Sequence, residues 1–529
     1  MSINPKKRLC LIFCGEIFLF SVIVTGILPR SVVPYFALAL ALYTLFTPLE
    51  EAVLFFVQSI PLFIAIPITT SWDNFNTWRI LSIIIFLRWI FSKGDFKWIL
   101  NGLRDFFKAP IKFSRAHPIL VLSSCLLLTA FCSLAGAPDL RAGFARIIYF
   151  INLSLIGIVV YDNVRRSTLD VPQLLRSISI STILVVIVGY IQLISTYLMD
   201  VYQFMRLWGE IIQKNQFGEL WSHIAVYLGN TWLAYYGPQL SLRVFSLFTD
   251  SHTFPMYVLF GLPTLLAFGI LRILKRPASD IDSLRKMIRV RANMSILWVP
   301  IAFLIVILSG TRGIWAASIP TVTLALLMGT IHMVKVPINK RLLFKYISLY
   351  LATFFMLFAV AYPIFVSPQF LLSKGDWALF GNRIRSIIDF GETSNAIRLQ
   401  IWKQSVISIA HHPLLGVGIG NFPVVLDQEI FLAKAGSTAH NVYLHIAAEM
   451  GIPALLLALA FLWLIWKSTW QNFLHETDPL LSTFYGAMAL FLPWNLAYLM
   501  TDAALFDERV FLMFVVIVAL ALEQNKNRG

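Results

Sequence analysis

Long apolar runs follow one another along most of this chain, and short polar segments separate them. Runs of about 17–25 apolar residues predict membrane-spanning helices, because a helix satisfies its own backbone hydrogen bonds in lipid. We therefore predict an all-α polytopic membrane protein with about 14 transmembrane helices, within a range of about 12–14. The predicted spans are 9–28, 33–48, 52–70, 78–91, 118–136, 144–161, 177–199, 253–274, 294–310, 313–333, 343–366, 443–466, 479–500 and 508–522.

Two polar segments are much longer than the others, 200–252 and 367–442. Loops of this length without structure of their own are uncommon and often functional. Both contain amphipathic stretches, at 208–212 and 397–409, which predict short helices at the membrane interface. The chain is accordingly expected to divide into an N-terminal transmembrane bundle, 1–199, a central catalytic region, 200–466, and C-terminal transmembrane helices, 467–529.

The composition agrees with a membrane protein. Hydrophobic residues make up 58% of the chain and charged residues 13%, whereas soluble domains carry about 25% charged residues. A net charge of +15 could indicate nucleic-acid binding. In a membrane protein the simpler explanation is an excess of lysine and arginine in cytoplasmic loops, so no nucleic-acid partner is expected. Four cysteines fall within predicted spans and form no disulfide framework or zinc spacing: Cys10, Cys14, Cys125 and Cys132.

The basic residues predict the orientation of the chain in the membrane. Lysine and arginine concentrate in cytoplasmic loops, and with fourteen spans every large basic cluster falls on one side, together with both termini. The first apolar run follows basic residues and is interpreted as an uncleaved span. The clusters are Lys6, Lys7 and Arg8 at the N-terminus and the basic residues of 92–117, 272–291 and 334–342. The two long segments are then periplasmic.

Three arginines and one histidine are predicted on the opposite side, where arginine is disfavoured. Arg243 precedes the eighth span, Arg312 lies in a tight turn, and Arg398 and His440 lie in the second long segment. A shared anionic ligand would explain them, because a guanidinium binds phosphate oxygens through a planar fork and stays charged. Converging arginines suit a pyrophosphate whose charge grows as the bond to it breaks.

Each of these arginines could have a structural role instead of binding a ligand. For Arg243, anchoring at the lipid headgroups is as good an explanation as ligand binding. For Arg398, a place on a solvated helix face is as good an explanation as ligand binding. The structural explanation is weaker for Arg312, because Gly310 and Gly313 flank it in a turn between apolar spans. An arginine at such a position is a functional candidate.

His440 stands at the start of the span near 443–466. Histidine titrates near neutrality and can accept a proton from an attacking hydroxyl, although a histidine at a membrane interface is more commonly structural. Asn441 is placed to cap the helix. His445 and Glu449 are four residues apart on one helical face, and a carboxylate this deep in a span needs a partner, such as an arginine. The glycine-rich segment 413–421 is interpreted as a tight turn, because it lacks the context of a phosphate-binding loop.

Four sequence blocks in this order resemble the O-antigen ligase and O-antigen polymerase superfamily of bacterial envelope proteins. The resemblance covers about residues 240–466. Most relatives have Pro-Asn in the first block where this chain has Asp250, Ser251 and His252. The blocks are RVFSLFTDSH at 243–252, SGTRG at 309–313, RLQIWKQSVISIAHHPLLGVGIGNF at 398–422 and AHNVYLHIAAEMGIP at 439–453.

The resemblance implies a C-type glycosyltransferase fold with its active site at the periplasmic face of the inner membrane. Such enzymes transfer a glycan from an undecaprenyl-pyrophosphate donor to an acceptor hydroxyl, and inversion is expected. No nucleotide sugar, metal or other cofactor is implied. By this resemblance His440 matches the catalytic histidine, Arg243 and Arg312 match arginines that contact pyrophosphate, and Arg398 matches a recurrent arginine. From their own positions, Asn441 and Glu449 are supporting candidates.

The family leaves the acceptor open. Ligases use the lipid A core, polymerases use another lipid-linked repeat, and other members glycosylate proteins. The alternative from another class is a polytopic transporter of an ion or small solute, because intramembrane carboxylates such as Glu16 and Glu449 often serve transport. The sequence has no inverted repeat of the kind that many transporters contain, and its polar candidates cluster on one predicted face.

Overall fold

The computed structural model describes residues 4–69, 73–93, 104, 108–219, 221, 232–236, 239–274, 294–332, 338–372, 393–426 and 438–522. The described chain is mainly α-helical, and many helices begin where the sequence supplies a capping side chain. Asn76, Asp139 and Asp478 each accept a hydrogen bond from a backbone amide in the first turn of the helix that follows, which satisfies donors that have no partner within the helix.

The helices fall into three stretches of the chain. The N-terminal stretch contains α1 Pro5–Val24, α2 Val33–Phe46, α3 Leu49–Ser59, α4 Thr77–Ser92, α5 Pro110–Ala116, α6 Pro118–Ser133, α7 Leu140–Arg165 and α8 Val171–Ser195. The middle stretch contains α9 Val201–Phe204, a π-helical continuation Met205–Gln213, α10 Lys214–Phe217, α11 Thr253–Leu274, α12 Met294–Leu308, α13 Arg312–His332, α14 Ile338–Phe365 and α15 Thr393–His411. The C-terminal stretch contains α16 Val442–His475, α17 Pro479–Tyr498 and α18 Glu508–Ala521. Short 3-10 helices lie at Arg30–Val32, Ile60–Leu62, Leu134–Gly136, Phe422–Leu426 and Ala504–Phe506.

Eight helices in the described ranges are long and apolar enough to cross a membrane by length and composition, and Arg30–Phe46 and Leu297–Leu308 are shorter apolar helices. The chain is therefore a multi-pass, all-α membrane protein, as predicted. The eight helices do not reproduce the predicted count of about 14, which remains a prediction. Most of the basic loop 272–291, on which the orientation rests, lies outside the described residues.

One predicted span is not a continuous helix. The apolar run at 52–70 is not a single spanning helix. Helix α3 ends at Ser59, and a 3-10 turn containing Pro61 follows. Proline lacks a backbone N–H and does not continue a helix. Helix α3 is buried among protein neighbours, and the run connects the two ends of α1, since Glu51 pairs with Arg8 and the Ala65 carbonyl accepts from Arg30.

Two small hairpins complete the described fold. Strands β1 Ala65–Ile66 and β2 Phe75–Asn76 pair antiparallel, with Ala65 opposite Asn76. Strands β3 Leu233–Tyr236 and β4 Gln239–Leu242 also pair antiparallel, with Leu233 opposite Leu242. The second hairpin leads into Arg243.

The long segment 200–252 begins with the predicted helical stretch. Its residues Trp208 and Ile212 are buried, and the Trp208 indole donates to the Ser195 hydroxyl at 3.1 Å. The amphipathic face at 208–212 therefore packs on protein. In the second long segment, α15 includes the predicted amphipathic stretch 397–409.

Helix α11 forms the centre of the bundle. It is buried along most of its length and packs against α8, α12, α17 and α18. The segment that leads into α11, the turn before α13 and the turn after α17 meet at one end of this core. This arrangement brings residues from distant parts of the sequence together.

Candidate functional site

Three predicted arginines meet at the end of the bundle where α11 and α13 begin and α17 ends. They line one cavity of about 40 Å³, which we call the three-arginine pocket. A single water needs ~10–15 Å³ of such space, so the cavity has room for a few waters or one small polar group. Its lining residues are Arg243, His252, Thr311, Arg312, Gly313, Arg398, Tyr498, Thr501 and Asp502.

Two backbone hydrogen bonds position Arg243 in the pocket wall. Its amide donates to the Trp232 carbonyl at 2.8 Å, and the next amide donates to the Leu308 carbonyl at 3.3 Å. The side chain is 9% exposed, and its Nη2 lies 3.1 Å from Nε2 of His252. The residue is thus buried in the pocket wall, which disfavours the explanation of a lipid-facing anchor.

The Ser-Gly-Thr-Arg-Gly turn places Arg312 at the first residue of α13, so the positive end of the helix dipole adjoins the pocket. Gly310 has a φ of +64°, and a Cβ there would lie 3.3 Å from Cγ of Arg243. A Cβ at Gly313 would collide with Thr501. The two glycines therefore let the turn pack closely against Arg243 on one side and the turn after α17 on the other.

The segment before α11 departs from the family pattern, and the structure shows what its residues do. The Asp250 carboxylate accepts hydrogen bonds from the amides of His252 and Thr253, each at 2.8 Å. The Thr311 hydroxyl donates to the Ser251 carbonyl at 2.7 Å. Asp250 thus caps α11, and the two turns are held together at the pocket.

Arg398 reaches the pocket from α15. Its Nη2 lies 3.9 Å from Oδ2 of Asp502, and its side chain is 21% exposed. One turn later on the same helix, the Trp402 indole donates to the Ala439 carbonyl at 2.9 Å. Helix α15 therefore contributes a pocket cation and also contacts the backbone directly before His440.

His440 lies at the rim of the pocket. Its Nδ1 is 3.9 Å from Oδ2 of Asp502, and 43% of its side chain is exposed. Its backbone is left-handed, with a φ of +47°, which is uncommon outside glycine and occurs often at functional sites. Asn441 caps α16 by accepting from the Leu444 amide, and the Val442 amide donates to the Leu499 carbonyl at 2.9 Å. These bonds hold His440 beside the turn after α17.

Asp502 was not identified from the sequence. Its Oδ2 lies 3.9 Å from nitrogens of His252, Arg398 and His440. Burial raises the pKa of Asp502, but the neighbouring His252, His440 and Arg398 outweigh burial and hold the pKa well below its ordinary value. Asp502 is therefore ionised at neutral pH. The signal available in the sequence was the position of Asp502 in a short turn between two apolar runs.

His252 is the neutral member of the group. Burial lowers its pKa, and Arg243, Arg398 and His440 lower it further against the opposing effect of Asp502, to about 3. The Tyr498 hydroxyl donates to the His252 carbonyl at 3.0 Å. At neutral pH the pocket thus contains three guanidinium groups and one carboxylate, so its net charge favours an anion.

Glu449 lies apart from this pocket. Its Oε1 is 3.4 Å from Nε2 of His445 and accepts from the Phe422 amide at 3.1 Å. The amides of Val417 and Gly418 donate to carbonyls of α16 at 2.9 Å. The expected tight turn at 413–421 is thus bound to α16, and Glu449 binds its end. The carboxylate is paired with His445, and the charge of Arg146 also acts on it.

The described residues contain no group of three histidine, cysteine, aspartate or glutamate side chains placed to hold a metal ion. The donor set of the pocket is instead dominated by guanidinium groups, which bind oxyanions.

A family model described as O-antigen ligase matches residues 297–459. This match confirms the resemblance to the O-antigen ligase and polymerase superfamily, and it supports glycan transfer in O-antigen assembly. The matched range includes Arg312, Arg398 and His440, while Arg243 and Asp502 lie outside it. No curated protein matches the chain.

Proposed function

We propose that this protein transfers a glycan from an undecaprenyl-pyrophosphate donor to an acceptor hydroxyl at the periplasmic face of the bacterial inner membrane. The observation that carries the proposal is the convergence of Arg243, Arg312 and Arg398 on one small pocket, with His440 at its rim. The family match supports the reaction class. The pocket charge suits a pyrophosphate.

In this mechanism the arginines bind the pyrophosphate and stabilise the charge that develops as it leaves. The start of α13 adds the positive end of a helix dipole beside Arg312. The donor lipid tail lies between helices. Gly310 and Gly313 allow the guanidinium-bearing turns to pack at close range.

His440 supplies the base. Its Nδ1 faces Asp502, so its Nε2 is the nitrogen available to the acceptor hydroxyl. The hydroxyl oxygen attacks the anomeric carbon from the face opposite the pyrophosphate and forms the new glycosidic bond. The bond from carbon to pyrophosphate oxygen breaks, the pyrophosphate leaves with the electron pair, and the hydroxyl proton passes to His440. Asp502 stabilises the resulting imidazolium, and the anomeric configuration inverts.

The proposal keeps the predicted topology of about 14 spans and the C-type glycosyltransferase fold, with 200–252 and 367–442 periplasmic. It keeps the regions 1–199, 200–466 and 467–529, and it adds residues 498–502 from the last region to the site. The acceptor class is a lipid A core, another lipid-linked glycan or a protein, since all three use the same step. The transporter alternative is less favoured because the charged pocket lies at one end of the bundle, and Glu16 is bonded to Ser59 within the core.

Reconstitution tests the proposal directly. Purified protein in liposomes is supplied with an undecaprenyl-pyrophosphate glycan and each acceptor class in turn, and both the glycosylated product and released undecaprenyl pyrophosphate are measured. We expect product and released pyrophosphate lipid in equal amounts, with an inverted anomeric linkage. A wild-type protein that binds the donor but forms no product with any acceptor class would contradict the proposal.

A further inference from the structure

His252 and Arg243 meet in the wall of the three-arginine pocket through a contact whose direction is fixed. Nη2 of Arg243 lies 3.1 Å from Nε2 of His252. A guanidinium carries only hydrogen-bond donors, so Nε2 of His252 is the acceptor. An imidazole that accepts at Nε2 is neutral and carries its single proton on Nδ1. The contact therefore requires one protonation state and one tautomer of His252.

The surroundings of His252 favour this state. Oδ1 of Asp250 lies 3.8 Å from Nδ1 of His252. This distance is too long for a hydrogen bond, but an acceptor oxygen on that side favours the proton on Nδ1 rather than on Nε2. Burial and the neighbouring Arg243 and Arg398 lower the pKa of His252 to about 3, against the opposing effect of Asp502. The ring is therefore neutral at neutral pH.

Both partners of this contact are also held by other groups. The His252 amide donates to Oδ1 of Asp250 at 2.8 Å, and the His252 carbonyl accepts from the Tyr498 hydroxyl at 3.0 Å. The stem of Arg243 packs on the turn before α13, because a Cβ at Gly310 would lie 3.3 Å from Cγ of Arg243. The fold thus sets where the imidazole and the guanidinium meet.

A neutral partner leaves the charge of Arg243 available to a ligand. Arg30, which lies outside the pocket, is instead held by the Asp73 carboxylate at 2.7 Å. A guanidinium–carboxylate pair is neutral overall, so its attraction for a further anion is small. His252 orients a guanidinium at the cavity without cancelling its charge. This arrangement suits a pocket that binds an anion.

We propose that His252 is a positioning residue: as a neutral acceptor it holds the Arg243 guanidinium in the orientation that binds a phosphate group in the pocket. Both side chains line the cavity, and the His252 side chain is 18% exposed, so the contact lies at the cavity surface. The role of His252 in glycan transfer rests on the proposed function, but its role in anion binding does not. Inorganic pyrophosphate is therefore the probe, because it has the phosphate groups of the donor without the lipid or the glycan.

The test is a double-mutant cycle on pyrophosphate binding, measured by isothermal titration calorimetry on the full-length protein in a non-ionic detergent. His252→Leu removes the acceptor and should weaken binding by about tenfold, as for the loss of one charge-assisted hydrogen bond. In an Arg243→Ala background the same substitution should have no further effect, because His252 acts through Arg243. His252→Gln supplies an acceptor oxygen and should restore binding to within about threefold of the wild-type value.

Two further variants control for a general disturbance of this segment. Ser251→Ala changes the neighbouring residue, whose hydroxyl is buried without a hydrogen-bond partner among the described residues, so this variant should bind pyrophosphate as the wild type does. His252→Ala removes the acceptor without adding bulk. It takes the place of His252→Leu in the cycle if the leucine variant does not unfold cooperatively in a thermal scan.

Three results would overturn the proposal: wild-type affinity in both His252→Leu and His252→Ala, losses that add fully in the Arg243→Ala background, or a wild-type protein that binds no pyrophosphate. Glycan transfer is measured on the same samples to distinguish this proposal from the proposed function. A protein that shows the coupling but forms no product contradicts the proposed function and leaves the role of His252 intact. A protein that forms product without the coupling has the proposed function but lacks this positioning residue.

Discussion

Two histidine–carboxylate pairs flank the start of α16, and they differ in almost every physical respect. In the His445–Glu449 pair the nitrogen and oxygen are 3.4 Å apart and the side chains are 4% and 5% exposed. In the His440–Asp502 pair the atoms are 3.9 Å apart and the histidine is 43% exposed. His445 stacks on Phe422 with ring centroids 4.6 Å apart, whereas His440 has a left-handed backbone and faces Asp502, which lines the three-arginine pocket.

The difference separates structure from chemistry. A buried pair whose polar atoms have partners stabilises the fold. A half-exposed histidine next to charged groups can instead exchange a proton with a ligand. Spacing along the sequence cannot distinguish the two pairs, because His440 and His445 are near neighbours in one block. The distinction depends on what surrounds each imidazole, and the following variants test it.

Replacing the rim histidine should have the largest effect on activity. General-base catalysis typically contributes about 10²–10⁴-fold, so His440→Gln should reduce turnover by that order while the donor still binds through the arginines. His440→Asn is the matched control for backbone strain, because asparagine tolerates the left-handed region. Turnover and donor binding are measured in the same reconstituted samples. Wild-type turnover in His440→Gln would remove the proposed base, and joint loss of binding would make it a binding residue.

Breaking the buried pair should instead reduce stability. His445→Leu leaves the Glu449 carboxylate buried without its imidazole partner, and breaking a buried pair in this way costs about 3–5 kcal/mol. The double variant His445→Leu/Glu449→Leu should recover much of that loss, because apolar side chains of similar size can replace a buried pair. Thermal unfolding in detergent measures both, and turnover per folded molecule should stay near the wild-type value. A turnover loss as large as that of His440→Gln would place this pair in the chemistry.

Arg312→Lys tests the shape of the pocket charge. Lysine keeps the sign but cannot form the planar two-bond contact of a guanidinium. We expect a loss of roughly 10–100-fold in turnover, as for one or two charge-assisted hydrogen bonds, with normal membrane insertion. Arg243→Ala should weaken donor binding as well. Undiminished turnover in Arg312→Lys would reduce Arg312 to an anchor.

The smallest expected effect is the contribution of His252 to the pH dependence of stability. The pKa of His252 is lowered to about 3 in the fold, while an unfolded histidine titrates near ~6.5. The unfolded state thus binds more protons between these values, so stability should fall as the pH drops through this range. His252→Gln should flatten this dependence in thermal unfolding between about pH 5 and 7. An unchanged slope in that variant would show that His252 does not contribute to it.

The helical membrane fold and several site residues could be predicted from the sequence alone. The apolar runs predict a helical membrane protein, and α11, α16 and α17 lie where runs were predicted. The arginine blocks single out Arg243, Arg312 and Arg398 because arginine is disfavoured on their predicted side. Asn441 caps its helix as its residue type suggests.

The remaining features depend on contacts that no local pattern encodes. Asp502 belongs to the pocket because α17 packs against α11 and α13, which neither its flanking residues nor its spacing reveals. Apolar burial in protein resembles apolar burial in lipid, so the run at 52–70 was predicted as one continuous span although its helix ends at Ser59. Glu449 was placed among the supporting residues because intramembrane carboxylates are often functional, and only the packing identifies His445 as its partner.

The most direct test is the pH dependence of transfer under saturating donor and acceptor. Between about pH 5 and 8 Asp502 stays ionised and His252 stays neutral, so neither of these two groups changes the charge around the arginines. We predict that wild-type turnover falls as the pH drops below neutrality, because protonation removes the base, and that residual turnover in His440→Gln shows no such fall. A wild-type profile that is flat, or one that His440→Gln reproduces, would contradict the assignment of His440 as the base.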